Sequence, residues 1–246
     1  MTDDADISSG KVADSAASVD AVIPEDIRAK YEIYSYRNAA GILSNGFPAQ
    51  FGDILTALRN FKITMAMIRS AGGSKSSIAK HVDTLFDDEW IETRISADLH
   101  VKLLHAKKSD AIVSQYTRQG FLDGHRIDFV KGKVALDLEW NSKDQTYDRD
   151  LYAFSAFYEA GAIDVGVILT RGFTLDTAFF RSLGKALNKD GSDDLGEVYK
   201  KYGASTTWMG KLLYRLDAGR NGGCPVLAIG ITPHCVVDYA SKPKTP

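Results

Sequence analysis

Three acidic residues in the middle of the chain have the types and spacing of a metal-dependent catalytic site. Asp128 lies in one apolar run, and Asp137 and Glu139 lie two residues apart in the next. Side chains two residues apart on a β-strand share one face, so Asp137 and Glu139 should point the same way. Clustered carboxylates repel one another unless a cation compensates them. Mg²⁺ binds one or two carboxylates together with water and phosphate oxygens, and would suit this cluster.

A divalent cation at this cluster would polarise a scissile phosphate and lower the pKa of a bound water, which the remaining carboxylate would orient or deprotonate. Alternating acids on a strand also have a simpler interpretation, because they often mark its solvent face. The opposite side of this strand is apolar, which favours a core strand, and it carries Val134, Leu136, Leu138 and Trp140. The polar residues 141–145 follow directly and suit contacts with phosphates and base edges, or an ordinary loop.

The elements around these acids predict an α/β arrangement. Residues 125–130 and 134–140 are predicted strands joined by a turn at Gly132, where glycine tolerates a positive φ. A helix at about 148–160 and a buried strand at 165–170 follow. Hairpin, helix and strand in this order are typical of an α/β domain.

The flanking segments predict further helices and strands. Phe51, Ile54, Leu55, Leu58 and Phe61 have the spacing of one helix face. A second helix should follow Gly72-Gly73, capped by Ser74 or Ser76. Strand-like runs occur at 90–95, 101–104 and 226–231, and helical patterns at 175–188, 195–202 and 208–216.

Residues 1–22 are rich in Ala, Ser and Asp and are predicted to be a disordered acidic tail, followed by a single domain at 23–246. The chain has a net charge of −2, but its first 26 residues contain seven acids and one lysine. The remainder is therefore mildly positive, which is compatible with a polyanionic partner without requiring one.

Composition excludes several classes of protein. With 44% hydrophobic and 25% charged residues, the chain resembles ordinary soluble proteins. It shows neither a membrane-spanning run nor a signal segment, and two cysteines are too few for a disulfide scaffold or a four-cysteine zinc site. We expect a cytoplasmic protein that binds no membrane. The five histidines lack the HExxH spacing of a zinc site, and the glycines at 219, 222 and 223 lack a nucleotide-binding pattern.

The spacing of the three acids resembles the signature of PD-(D/E)XK nucleases: Asp128 is followed by eight residues and then by Asp137-Leu138-Glu139. The stretch 125–172 is similar, more narrowly, to the BglII family of type II restriction endonucleases. The similar runs are 127–129, 134–141, 148–151 and 164–172, with 72–78, 205–213 and 222–227 outside that stretch. The resemblance implies a PD-(D/E)XK nuclease core, in which a mixed central sheet is flanked by helices.

The sequence departs from the common signature at three positions. Its last residue is Glu139 rather than Lys, as in the BglII and BamHI branch, where Gln or Glu occurs. Asp137 stands where Glu is usual, and Ile127 stands where the signature has Pro. A further polar residue upstream often joins the site in this family, and the candidates are Glu89, Glu92 and Gln115.

The resemblance implies roles for the site residues. Asp128 and Asp137 would bind Mg²⁺ with the Leu138 carbonyl, and Glu139 would orient the attacking water. The first candidates for DNA contacts are Asn141, Lys143, Asp144 and Arg149, with Lys75 near a helix N-terminus. Each of these five has a simpler interpretation as a loop, cap or solvent-facing residue.

We therefore expect a Mg²⁺-dependent type II restriction endonuclease that cuts duplex DNA at a short, palindromic site. A homodimer would match the two-fold symmetry of such a site, and a separate methyltransferase would protect the host DNA. One alternative is a nuclease of the same fold in DNA repair or structure-specific cleavage, and another is a catalytically inactive DNA-binding protein. A carboxylate-pair glycosidase is less consistent with the pattern, because Trp140, the nearest aromatic residue, should face away from the acids.

Overall fold

The computed structural model describes residues 13–70 and 75–240. The strands are β1 (Tyr31–Tyr36), β2 (Ile91–Leu104), β3 (Ile112–Lys131), β4 (Val134–Glu139), β5 (Val165–Arg171), β6 (Lys185–Leu187), β7 (Asp193–Glu197) and β8 (Val226–Ile231). The helices are α1 (Ala16–Asp20), α2 (Glu25–Arg28), α3 (Ala39–Gly46), α4 (Pro48–Asn60), α5 (Met65–Arg69), α6 (Ser77–Asp83), α7 (Thr146–Glu159), α8 (Thr177–Ser182) and α9 (Met209–Asp217). Turns of 3-10 helix lie at Val198–Tyr202 and Pro233–Cys235.

The centre of the fold is a mixed six-stranded sheet in the order β1-β8-β5-β4-β3-β2. The strands β4, β5 and β8 run parallel, and β1 and β3 join them antiparallel. Every residue of β5 and β8 is buried, as expected for parallel strands covered by helices on both faces. This confirms the predicted fold class of a mixed sheet flanked by helices.

The two faces of β4 enter different parts of the core. Val134, Leu136 and Trp140 pack into the apolar cluster that contains α3, α4 and α6. Ala135 packs into the cluster on the other side of the sheet, formed with α7 and α9. The alternation predicted for this strand is therefore observed, and α7 covers the face to which Asp137 and Glu139 belong.

Several predicted elements are found close to their expected positions. The predicted helix at 51–61 is α4, the one at 148–160 is α7, and the one at 208–216 is α9. Ser76 caps α6 by accepting a hydrogen bond from the Ala79 N–H at 3.0 Å. The other suggested cap, Ser74, lies outside the described residues together with Gly72 and Gly73.

The prediction of disorder for residues 1–22 is wrong for residues 13–22, and residues 1–12 lie outside the described part. Ser15 caps α1, Val19 is buried, and Ala13 pairs with Tyr36 beside the edge of the sheet. Asp14 accepts hydrogen bonds from the Asn38 N–H. A few contacts with distant residues therefore order a segment whose composition is typical of disorder.

The C-terminal third and the upstream strands also differ from prediction. The expected helix at 175–188 ends after α8, because Gly184 adopts a φ of +72° and the chain turns into β6. The expected helix at 195–202 is instead β7 followed by a 3-10 turn. The runs at 90–95 and 101–104 belong to one long strand, β2. Within the described residues, none of the helices has the length and apolar character needed to cross a membrane.

Gly166 sets the distance between α7 and the sheet. It lies on β5 beside Ala135 of β4, and a Cβ atom at this position would lie 2.4 Å from the ring of Phe154. Phe154 is fully buried on α7, so its ring has little room to move away. The close approach of helix and strand therefore requires glycine.

We expect Gly166→Ala to lower the free energy of unfolding by about 1–3 kcal/mol, because the added methyl group overpacks the contact with Phe154. Urea denaturation followed by circular dichroism measures the change. Gly41→Ala in α3 is the matched control, since nothing lies within 4 Å of its added methyl group. A Gly166→Ala protein as stable as the wild type would contradict this packing of α7.

Candidate active site

Asp128 and Asp137 meet where β3 and β4 separate. These strands pair only from Phe129 and Leu136 towards their connecting turn. Beyond that point the backbone N–H of Asp128 donates to Asp137 Oδ1 at 2.7 Å, and the Asp128 carboxylate accepts from the backbone N–H of Leu138. The two acids thus replace regular strand pairing with reciprocal hydrogen bonds, which fixes their relative position.

An irregularity in the pairing of β2 with β3 also directs Asp128. Thr93 pairs with Ile127, and Ile91 pairs with Val130. The chain therefore advances three residues along β3 where it advances two along β2, so β3 has one extra residue. A bulge of this kind bends the strand and re-aims a side chain. Its result is that Ile127 and Phe129 are buried while Asp128 between them is exposed.

Asp128 lines a cleft of about 820 Å³ between the sheet and α6. Leu138, Glu92 and Lys75 also line the cleft. The limited hydration there and the nearby carboxylate of Asp150 raise the pKa of Asp128, whereas Lys75 opposes that shift. The cleft gives solvent and a ligand access to the point at which β3 and β4 separate.

A fourth acid, Asp150 of α7, lies near Asp137 and Glu139. These two belong to the face of β4 that α7 covers. All three residues are buried: the exposed fraction is 5% for Asp137, 6% for Glu139 and 2% for Asp150. Burial first, and then the charge of Asp150, raise the pKa of Asp137 well above its usual range and that of Glu139 to about 8. The carboxyl groups of Glu139 and Asp150 interact, and their proximity contributes to the raised pKa of Glu139.

Arg149 supplies the positive charge nearest to these acids. Its Nε and Nη2 lie 3.0 and 2.8 Å from Asp150 Oδ1, and its Nη2 lies 3.6 Å from Glu139 Oε1. The Arg149 side chain is 66% exposed although both carboxylates are buried. It therefore lies at the boundary between the buried acids and solvent.

The sequence analysis did not identify Asp150. A signal was present, because Asp150 lies in the buried stripe of α7 with Tyr147, Leu151 and Phe154, at helical spacing. An acid within an apolar stripe is rarely buried without a partner. Its partner Glu139 belongs to another element, and only the folded chain shows that contact.

The buried acids have the donor chemistry for a divalent cation. Asp137 Oδ2, Glu139 Oε2 and Asp150 Oδ2 are buried and have no hydrogen-bond partner, which is unfavourable for carboxylate oxygens. A hard cation would satisfy such oxygens. Within residues 13–70 and 75–240, however, no three His, Cys, Asp or Glu side chains already stand in metal-ligand geometry.

The five predicted DNA contacts lie in different surroundings. Asn141 and Lys75 line the cleft, but Asn141 Nδ2 donates to the Lys201 carbonyl at 3.1 Å, and Lys75 pairs with Asp83 at 2.5 Å.

The other three of these residues do not line the cleft. Lys143 pairs with Thr206 through the backbone, Asp144 lies 3.3 Å from the Lys211 ammonium group, and Arg149 is held by Asp150. All five residues remain predictions as DNA contacts.

Among the upstream candidates, Glu92 is the one that lies near the acids. It lines the cleft, and its charge acts on Asp128. Glu89 instead pairs with Lys131 at 2.7 Å, and Gln115 lies far along β3, opposite Lys102.

The raised pKa of Glu139 predicts how stability depends on pH without divalent cations. Between its usual pKa near 4.5 and about 8, the folded state holds a proton that the unfolded state has lost. The free energy of unfolding should therefore fall as pH rises through this window, by up to about 1.4 kcal/mol per pH unit for this group. Glu139→Gln, which carries no ionisable group, should flatten this fall in urea titrations in EDTA.

Glu159→Gln, at the exposed end of α7, is the matched control and should keep the wild-type dependence on pH. Adding MgCl₂ should raise the melting temperature of the wild type, since a ligand of the folded state stabilises it. An equal dependence on pH in Glu139→Gln and wild type would show that Glu139 ionises normally in the folded protein.

Comparison with known proteins identifies the family. The family model described as restriction endonuclease BglII/BglIII matches residues 31–231, from the first residue of β1 to the last of β8. A search of curated proteins found no match. The matched region includes the four acids, and the match confirms the resemblance noted in the sequence. The family is one of type II site-specific deoxyribonucleases, which are hydrolases that bind duplex DNA and generally use divalent metal ions. The chain belongs to the BglII/BglIII family of restriction endonucleases.

Proposed function

We propose that this restriction endonuclease requires Mg²⁺, acts as a homodimer and cuts both strands of duplex DNA at a short palindromic site. The observation that carries the proposal is the set of buried carboxylates with unpartnered oxygens close to Asp128, the acid that lines the cleft. Such a set is unfavourable by itself and is well suited to a hard cation beside a phosphate. A two-fold enzyme matches a palindromic site, with one protomer for each strand.

Asp128 and Asp137 would hold the cation together with the carbonyl of Leu138. Both carboxylates are already fixed by hydrogen bonds with the backbone across the gap between β3 and β4. When bound, a divalent cation supplies polarisation of the scissile phosphate and a lowered pKa for a bound water. Burial, and after it the charge of Asp150, raises the pKa of Asp137 and Glu139, and a nearby positive charge would lower it.

Glu139 would then be ionised and would accept the proton of the attacking water as a general base. Its position at the end of β4 places it two residues beyond Asp137 on the same face. Arg149, anchored by Asp150, would stay beside Glu139 and offer its exposed guanidinium group to a phosphate. The host would require a separate methyltransferase that protects the same site, and we place the pair in the cytoplasm.

Purified protein should cut unmethylated phage DNA into discrete bands with Mg²⁺ and leave it intact with EDTA. Asp137→Asn keeps the shape of the side chain but loses its charge, and should reduce cleavage at least about 100-fold. Asp164→Asn, at an exposed position just before β5, is the matched control and should cut normally. A Mg²⁺-dependent smear would contradict site specificity and indicate a repair or general nuclease, and sequencing the band ends would identify the site.

Asp150→Asn should lower the single-turnover cleavage rate by about 10- to 100-fold, because Arg149 loses its anchor and Glu139 loses its carboxylate partner. Its affinity for the same DNA, measured in EDTA, should stay within about twofold of the wild type. A matching loss of affinity would place Asp150 in DNA binding instead of in the positioning of Arg149 and Glu139.

A further inference from the structure

The hairpin of β2 and β3 extends far beyond the sheet. Only residues 129–131 of β3 pair with β4, whereas β2 and β3 continue to pair with each other as far as Leu104 and Ile112. At about 3.3 Å per residue, the ribbon from Thr93 to Leu104 spans roughly 35 Å. Residues 111–121 are all exposed. A two-stranded ribbon is only marginally stable in water, so a partner surface would stabilise this one.

Positive charge is concentrated on the outer ribbon, which comprises residues 99–121. It contains Lys102, Lys107, Lys108 and Arg118, with Asp110 as its one acid, so it carries +3 in a chain of net charge −2. The first 26 residues carry −6, so residues 27–98 and 122–246 together carry only +1. The outer ribbon therefore holds most of the net positive charge of the chain after residue 26, and such a basic projection has the electrostatic complementarity required by a polyanionic partner.

The two faces of the outer ribbon differ in chemistry. His100 pairs with Thr117, and Lys102 pairs with Gln115, which gives one face of hydrogen-bonding side chains. Val101 pairs with Tyr116 on the opposite face, which is more apolar. The polar face therefore has the donors and acceptors that read base edges and bind phosphates.

The shape and position of the ribbon also fit a duplex. The major groove of DNA admits a two-stranded β-ribbon, and roughly 35 Å is about one helical turn. The base of the ribbon lines the cleft through Ile91, Glu92 and Asp128. A duplex placed with a phosphate at Asp128 would therefore run beside the ribbon that carries this acid.

We propose that the outer ribbon is a DNA-binding arm whose polar face contacts the duplex next to the cleavage site. Lys102 and Lys108 contact phosphates, and Gln115 reaches base edges in the major groove. This inference rests on the proposed function, because it takes the substrate of the cleft to be duplex DNA.

The test is the affinity of the full chain for a fluorescent 30-base-pair duplex in EDTA (about three helical turns), measured by anisotropy over a series of salt concentrations. The variant K102Q/K108Q removes two charges from the ribbon. The control K62Q/K133Q removes two charges elsewhere: Lys62 lies near Lys30 at the β1 edge, and Lys133 precedes β4 at the end away from Glu139. Circular dichroism establishes that both variants are folded.

We expect K102Q/K108Q to weaken binding about tenfold or more near 0.1 M salt, and to lower the slope of log Kd against log salt by about two. The control should bind like the wild type. Wild-type affinity and slope in K102Q/K108Q would overturn the proposal. Unchanged DNA affinity with a smaller sedimenting species would overturn it too and make the ribbon a contact between two copies. If the wild type cleaves DNA and K102Q/K108Q binds it normally, the ribbon proposal is wrong and the proposed function stands. If the wild type neither binds nor cleaves DNA, both the proposed function and the ribbon proposal are wrong.

Discussion

The mutual repulsion of carboxylates in a buried space is the constraint on which this structure depends. Asp137, Glu139 and Asp150 are almost inaccessible to water, and burial raises the pKa of all three carboxyl groups. The scaffold that holds them together has to be rigid. It consists of a central strand paired on both sides and a helix drawn close over Gly166. Loss of either support would let the carboxylates separate.

Arg171 gives the loop after β4 the same rigidity. This buried arginine donates from Nε to the carbonyls of Trp140 and Thr207, at 3.0 and 2.9 Å, and from Nη2 to Thr206 Oγ1 at 2.6 Å. The Tyr202 ring packs against its guanidinium group, and burial lowers the pKa of Arg171 to about 10, so it stays charged at neutral pH. The polar loop at 141–145 is therefore tied to the segment at 205–207, which positions residues at the cleft more firmly than a free loop would.

The correctly predicted elements are those whose signal lies within one segment. The helix α7 and the strands β4, β5 and β8 follow from the periodicity of their own residues, because backbone geometry sets the side-chain period. The strand β1 was not predicted, although its residues alternate in part, since its role depends on pairing with β8 from the other end of the chain. The order in residues 13–22 has the same origin, in contacts with Ser35 to Asn38.

The sequence by itself determined that Asp137 and Glu139 share a face of one strand and that Asp128 precedes them on a neighbouring strand. These relations follow from the period of a strand and from a tight turn at Gly132, which are local properties. Only the tertiary structure decided that Asp150 joins these acids, that a bulge exposes Asp128, and that β2 and β3 continue as one ribbon beyond the sheet. Each of these depends on which distant segments pack or pair, and that choice is made by the whole core at once rather than by any single run of residues.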